Sequence, residues 1–240
     1  MILLQEIFDT LANGEFSHIK LGNSLQGTIA ESDYPKIVSA VNLGLLDLHK
    51  RFPLRKGEFI VHQHAAVTDY YLRPEHAATV AEMDDEYYIA LGEDESFTSD
   101  FIKVNSLWEA DGTIVPLNDG TNKATGGFTP SFDLLRMIPR VPPIPVHVEY
   151  QARYPKIVIT ESFDPEKVEL NVPDFLLEPL LYFVASRVFR GIASKAAEGE
   201  TTSSVTYHTL YRTACLEIQQ GGLITTDDDS GQQFSNNGWE

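Results

Sequence analysis

Apolar residues recur at helical spacing near both ends of the chain and at alternate positions between them. From Ile2 to Leu11, the positions Leu3, Leu4, Ile7, Phe8 and Leu11 share one helical face, and Asn13-Gly14 supplies a stop. A Gly-, Asn- and Ser-rich loop follows. A second helix opens at Ser32-Asp33 with Pro35 tolerated in its first turn; Ile37, Val38, Val41, Leu45, Leu48 and Phe52 form its stripe, and Phe52-Pro53 ends it.

Between Lys56 and Leu170 the period shifts toward two. Phe59/Val61, Ile102/Val104, Val146/Val148/Tyr150 and Ile157/Ile159 alternate with polar neighbours, which predicts short strands. Asp111-Gly112, Asn118-Asp119-Gly120 and Gly126-Gly127 read as turns. Pro139, Pro142, Pro143 and Pro145 force an extended run before the strand at Val146. Pro74 to Met83 reads as a short helix in an acidic loop.

Helical spacing returns after Pro173-Asp174, where Leu180, Leu181, Val184, Val188 and Ile192 form a stripe. Gly199 breaks it, Thr201 or Thr202 can cap, and Val205, Tyr207, Leu210, Tyr211, Ala214 and Ile218 carry another helix to Gly221-Gly222. The short connection makes these two helices antiparallel neighbours. From Leu223 to Glu240 there is no apolar period, so this stretch reads as an extended arm. The expected fold is therefore α+β. Residues 1–55 and 171–222 form an antiparallel helical bundle, 56–170 are an inserted antiparallel β domain, and 223–240 are the extended C-terminal arm.

Composition narrows the function. At 240 residues, 42% hydrophobic and 22% charged, the chain is long enough to bury a core without metal or disulfide support. Its single cysteine, Cys215, excludes an intramolecular disulfide and a cysteine-based zinc cluster. No apolar run approaches the roughly 20 residues of a membrane span, and no secretory leader is apparent. A formal charge of −17 argues against a protein that grips nucleic acid, although it suits a passage through which DNA must slide.

Strong catalytic signatures are missing. There is no nucleophile elbow, phosphate-binding glycine loop or H-E-x-x-H helix, and Asp227 to Gly231 fails the calcium-loop spacing. No cofactor and no metal site are expected, and the chain reads as a non-enzyme. One metal alternative remains, a hydrolase built on His62 and His64, which flank Gln63 on a predicted strand and need a third ligand from Asp69, Glu75 or His76. The acidic stretch Glu82 to Asp100 reads as an exposed loop or a channel-facing edge.

The partner-binding candidates lie toward the C-terminus. Arg187, Arg190, Lys195 and Arg212 concentrate positive charge on the last two helices, suited to acidic surface on a neighbouring copy or to snorkelling from an amphipathic helix. Asp227, Asp228 and Asp229, with Phe234 and Trp239, give the arm charge and aromatic anchors for a partner's pocket.

Three segments carry a family resemblance. YPKIVSAVNLGLLDLHKRF at Tyr34 to Phe52, followed by FIVHQHAAVTDYYL, resembles the opening of the head-to-tail adaptor proteins of tailed bacteriophages, also called neck or tail-completion proteins. FIKVNSLWEADGTIVPLND at Phe101 to Asp119 resembles a strand–turn–strand of phage virion proteins. The stretch from Val172 to Leu223 resembles the C-terminal helix pair of such adaptors. These are patterns of apolar and small residues without a chemical signature, and the β insertion is closer to the tail tubular type of short-tailed phages than to the all-helical adaptors.

The resemblance implies a virion structural protein of the neck, assembled in the host cytoplasm. It would form a ring, usually of about twelve copies, between the portal protein and a tail or nozzle protein. Double-stranded DNA would pass transiently through the lumen, the arm would reach the portal, and no membrane would be involved. Another tail-completion or tail-tube-attaching virion protein is the nearest alternative.

Overall fold

The computed structural model describes residues 1–19, 21, 25–79, 82, 86–91, 97–119, 126–193 and 199–224. The chain divides into two compact units, one of Met1–Phe52 with Tyr154–Glu240 and one of Pro53–Arg153. Among the described residues there are four α-helices, all in the first unit, together with eleven strands in three sheets, so the protein is mixed α and β.

In the first unit, β1 (Ile2–Leu3) precedes α1 (Leu4–Asn13). The expected helix from Ile2 starts two residues late because Ile2 and Leu3 are held extended by antiparallel pairing with Leu170 and Glu169 of β11 (Glu169–Leu170). Leu4, Ile7, Phe8 and Leu11 of α1 are buried, as their spacing predicts. In α2 (Tyr34–Arg51), Pro35 occupies the first turn, and Ile37, Val38, Val41, Leu45 and Leu48 form a buried stripe. Gly44 permits the close approach of this stripe to α3 (Leu177–Ala193): a Cβ there would stand 2.7 Å from Leu180 Cδ1 and 3.0 Å from Phe183 Cδ1.

α4 (Gly199–Gln220) packs along α3. Phe183 meets Tyr211 edge-on at 5.1 Å, Phe189 stacks on Tyr207 at 5.3 Å, and the Ser204 hydroxyl donates to the Ser186 carbonyl at 2.9 Å. From Phe183 to Phe189 on α3 the ring partner on α4 moves back from Tyr211 to Tyr207, so the two helices run in opposite directions. Tyr211, Cys215 and Ile218 of α4 are buried, whereas Val205 is 62% exposed.

Alternation predicts a β unit that reaches residue 170, but the unit closes at Arg153. Residues 153–160 alternate like a strand yet form none. Their backbone is held instead by a side chain of α2: Asn42 Nδ2 donates to the Ile157 carbonyl at 2.9 Å, and the Ile157 amide donates to Asn42 Oδ1 at 2.9 Å. Tyr154 packs edge-on against His49 at 5.3 Å. An amide side chain thus replaces the missing sheet partner.

The second unit contains a six-stranded sheet ordered β4-β5-β2-β10-β6-β7. Its strands are β2 (Lys56–His62), β4 (Ala77–Thr79), β5 (Ile89–Leu91), β6 (Phe101–Glu109), β7 (Ile114–Val115) and β10 (Pro145–Ala152). A three-stranded sheet joins β3 (Asp69–Tyr71), β9 (Leu134–Met137) and β8 (Gly127–Ser131) in that order. Phe59, Val61, Leu107, Val146 and Val148 from the larger sheet and Tyr70, Leu135 and Met137 from the smaller share one core.

Two local expectations in this unit are corrected. In the expected helix from Pro74 to Met83 the described residues 74–79 are not α-helical: Pro74–His76 make a single 3-10 turn, and Ala77–Thr79 leave it as β4 to pair parallel with β5. Gly127 is no turn residue but the buried start of β8, where a Cβ would stand 2.3 Å from Leu107 Cδ1. The turn at Asp111-Gly112 forms as expected, with Gly112 at φ +87.

Candidate functional site

Three helices of the first unit each turn a polar stripe into a common groove of about 650 Å³. α2 contributes Leu43, Leu46, Asp47, Lys50 and Arg51; α3 contributes Phe183, Ser186, Arg187 and Arg190; α4 contributes Ser204, Val205, His208 and Tyr211. Each set follows i, i+3/i+4, i+7, the spacing that places side chains above one another on one helix face. The described lining therefore contains four permanent cations and a single carboxylate.

That carboxylate is already engaged. Arg51 Nε donates to Asp47 Oδ2 at 2.7 Å, and the Tyr211 hydroxyl donates to the same oxygen. Arg51 Nε also reaches the Tyr211 oxygen at 3.1 Å, and its guanidinium lies 5.3 Å from the Tyr211 ring centre. Burial pushes the Asp47 carboxyl up, but the hydrogen bonds from Tyr211 and Arg51 outweigh it and hold the group below the usual carboxylate range. Burial, then the bond to Asp47, drives the Tyr211 phenol far above its ordinary value, so its proton stays in place.

One turn beyond Tyr211, burial raises the Cys215 thiol, which makes it a packing residue and a poor nucleophile. The network fastens α4 to α2 and forms the floor of the groove. Along the rim, Arg187 lies over the Phe183 ring at 5.4 Å, and Lys50, Arg187 and Arg190 are exposed. Among the described residues none of these three forms a salt bridge with a carboxylate. Exposed cations beside Leu43, Leu46 and Val205 suit an acidic segment that also carries apolar side chains.

Of the residues expected to bind a partner, Arg187 and Arg190 both line this groove. Arg212 is exposed but does not line it; Lys195, Asp227, Asp228, Asp229, Phe234 and Trp239 lie outside the described residues. Sequence pattern does not single out Lys50, Arg51, Asp47 or His208, although the polar face of α2 opposite its apolar stripe carries the signal.

Among the described residues the metal alternative finds no third ligand. His62 ends β2, and burial, then the nearby His64, lower its pKa. The other side chains it needs are engaged elsewhere. Asp69 takes a bidentate pair from Arg136 at 2.6 and 2.9 Å, Glu75 lies 3.6 Å from Arg73, and His76 stacks on Tyr88 at 4.9 Å with Nδ1 3.1 Å from the Glu86 carbonyl. Among the described residues no three His, Cys, Asp or Glu side chains converge as a metal site would require.

Within the acidic stretch, Asp100 is buried. Arg55 Nη1 donates to it at 2.5 Å and the Tyr150 hydroxyl at 3.0 Å. Asp84, Asp85, Glu93, Asp94 and Glu95 lie outside the described residues. Among the described residues no helix is long and apolar enough to cross a membrane. Neither a protein-family model nor a curated protein matches the chain.

Proposed function

We propose that the chain is a virion structural protein of a tailed bacteriophage, a head-to-tail adaptor whose copies form a ring between the portal and the tail and let DNA pass through the lumen. The observation that carries this reading is the cationic groove on α2, α3 and α4 of a chain whose net charge is −17. Cations gathered on one face of an otherwise acidic subunit suit heterologous contacts, in which each copy presents a basic face to acidic surface on the next. In this reading the helices of both chain ends form one antiparallel bundle. The β unit is an insertion for the partner on the tail side, and the arm from residue 223 reaches the portal through Phe234 and Trp239.

The mechanism is geometric. An acidic lumen repels the DNA phosphates and keeps the genome mobile, while Arg187 and Arg190 offset repulsion between subunits at the contacts. Ordering of the arm on binding would extend each subunit's reach at an entropic cost.

The test is electron microscopy of portal rings mixed with the purified chain, full-length and truncated after Leu223. A ring of added density below the portal, present with the full chain and lost on truncation, is the expected result. Portal rings left bare by the full chain, or density at a tail-tube end instead, would overturn it.

A further inference from the structure

We propose that the groove of α2, α3 and α4 is the docking site for this chain's own acidic segment, Thr225 to Glu240, in the free subunit. The inference goes beyond the adaptor reading and holds whether or not the subunit joins a portal. The segment carries Asp227, Asp228, Asp229 and Glu240, no Lys or Arg, and the aromatic residues Phe234 and Trp239. The groove presents Lys50, Arg51, Arg187 and Arg190 together with the apolar side chains Leu43, Leu46 and Val205, and Arg51 is paired with Asp47, the one carboxylate of the described lining. The segment's acidic and aromatic groups therefore have both cations and apolar side chains to meet in the groove, so charge and polarity match in the same occupant.

The connection permits the return. α4 ends in hydrogen bonds from the Gly221 amide to the Glu217 carbonyl at 2.8 Å and from the Gly222 amide to the Gln219 carbonyl at 3.3 Å. Gly222 adopts φ +63, the left-handed conformation with which a chain leaves a helix axis. Leu223 is exposed, but Ile224 is already half-buried. The rise from Gln220 back to His208 is about 18 Å at ~1.5 Å per residue. An extended run from Ile224 to Asp229 covers about 17 Å at ~3.3 Å per residue. The three aspartates thus arrive level with His208, one turn inside the end of the groove at Tyr211, and residues 230–240 have the rest of its length ahead of them.

Tethering favours the chain's own segment over that of another copy. A short flexible connection holds a ligand at an effective concentration on the order of millimolar, well above the micromolar concentrations at which a free subunit is handled. Bound there, the segment neutralises Arg187 and Arg190, which form no salt bridge among the described residues, and it shields Val205. The groove and the segment are then unavailable to partners until the segment leaves, which makes the contact a brake on premature association.

Amide hydrogen exchange over residues 225–240 of the full chain, at concentrations where sedimentation shows a monomer, tests this. Exchange should be slowed at least tenfold relative to an unstructured peptide of the same sequence. The protection should be lost in the groove variant R187E/R190E, in the segment variant D227N/D228N/D229N and in 500 mM salt. The segment variant leaves every helix untouched, so a folding defect in the groove variant cannot obscure the result. Peptide-like exchange in the wild-type chain overturns the inference, and so does protection that both variants retain. Protection that appears only as the chain self-associates overturns it too, because the occupied groove would then belong to a neighbouring copy. None of these outcomes bears on portal binding, which the microscopy reads separately.

Discussion

Tyr211 of α4 donates its phenolic hydrogen to the same oxygen of Asp47, on α2, that receives the Arg51 guanidinium. The two residues lie 164 positions apart in the chain, and their bond anchors the last described helix to the second. Hydrogen bonds to a charged group contribute more than neutral ones, about 1.5–3 kcal/mol each. Tyr211→Phe keeps the ring packed on Phe183 and removes this bond together with the Arg51 contact to the phenol oxygen, so it should cost about 2 kcal/mol, read from the urea midpoint of unfolding at unchanged slope.

The same carboxylate sets an acid limb. Its folded pKa is depressed below its unfolded value, so its stabilisation is present above the ordinary carboxylate value of ~3.9 and is lost as pH falls through the folded pKa. Asp47→Asn should therefore destabilise the protein at pH 7, and the difference from the wild type should shrink at an acid pH below the ordinary carboxylate value of ~3.9. Thermal midpoints at the two pH values provide the check; a gap that stays constant would show that Asp47 contributes no ionised-state stabilisation.

A second tyrosine acts within the β unit. Tyr88 accepts from the Tyr71 amide at 2.7 Å and donates to the Tyr71 carbonyl at 3.0 Å, replacing a sheet partner for that residue. Its ring is 4% exposed and meets Tyr70 edge-on at 5.1 Å. Tyr88→Phe leaves both backbone groups without this partner and should cost about 1–3 kcal/mol. Burial pushes the Tyr88 phenol up to about 12. A raised pKa gives stability that is complete below the unfolded value of ~10 and lost as pH rises through the folded one. The alkaline limb between about 10 and 12 should be shallower in the variant.

Two glycines of the helical unit should respond in opposite directions to alanine. Helix propensity favours alanine by about 0.8–1 kcal/mol at an interior position. At Gly44 the added methyl would meet Leu180 and Phe183 at 2.7 and 3.0 Å, and overpacking of this kind costs about 1–3 kcal/mol, so Gly44→Ala should be net destabilising. At Gly191 the nearest atom is Lys36 Cε at 3.6 Å, an ordinary contact, and Gly191→Ala should be neutral or stabilising. Paired denaturation curves would expose a failure of either sign.

Arg187 and Arg190 should separate partner binding from folding. Both are exposed, and Arg187's one aromatic contact is worth about 0.5–1 kcal/mol, so R187E/R190E should unfold within about 1 kcal/mol of the wild type. Under the adaptor reading the same variant should add little or no ring density to portal particles. Wild-type decoration by the folded variant would remove these arginines from the contact.

Part of this architecture is legible in the order of residues alone. The apolar stripes of α1, α2 and α3 follow from 3.6-residue periodicity, the strands at Phe59, Ile102 and Val146 follow from alternation, and the reversal at Asp111-Gly112 follows from a residue pair that tolerates a left-handed turn. Each rests on relations among side chains within a few positions of one another.

The rest depends on partners far along the chain. Ile2 and Leu3 continue the α1 stripe and Ile157 and Ile159 alternate like a strand, yet Leu170 draws the first pair into β1 and Asn42 holds the backbone of Ile157. The groove is the clearest case. Arg187 and Arg190 stand out in the sequence as unusual cations on one helix, but their convergence with Lys50 and Arg51 exists only because Gly44 lets α2 close on α3 and Tyr211 ties α4 to Asp47. Periodicity shows which face a helix buries. Which helices then meet, and which charges they bring together, is settled by shape complementarity between surfaces that the chain leaves distant until it is packed.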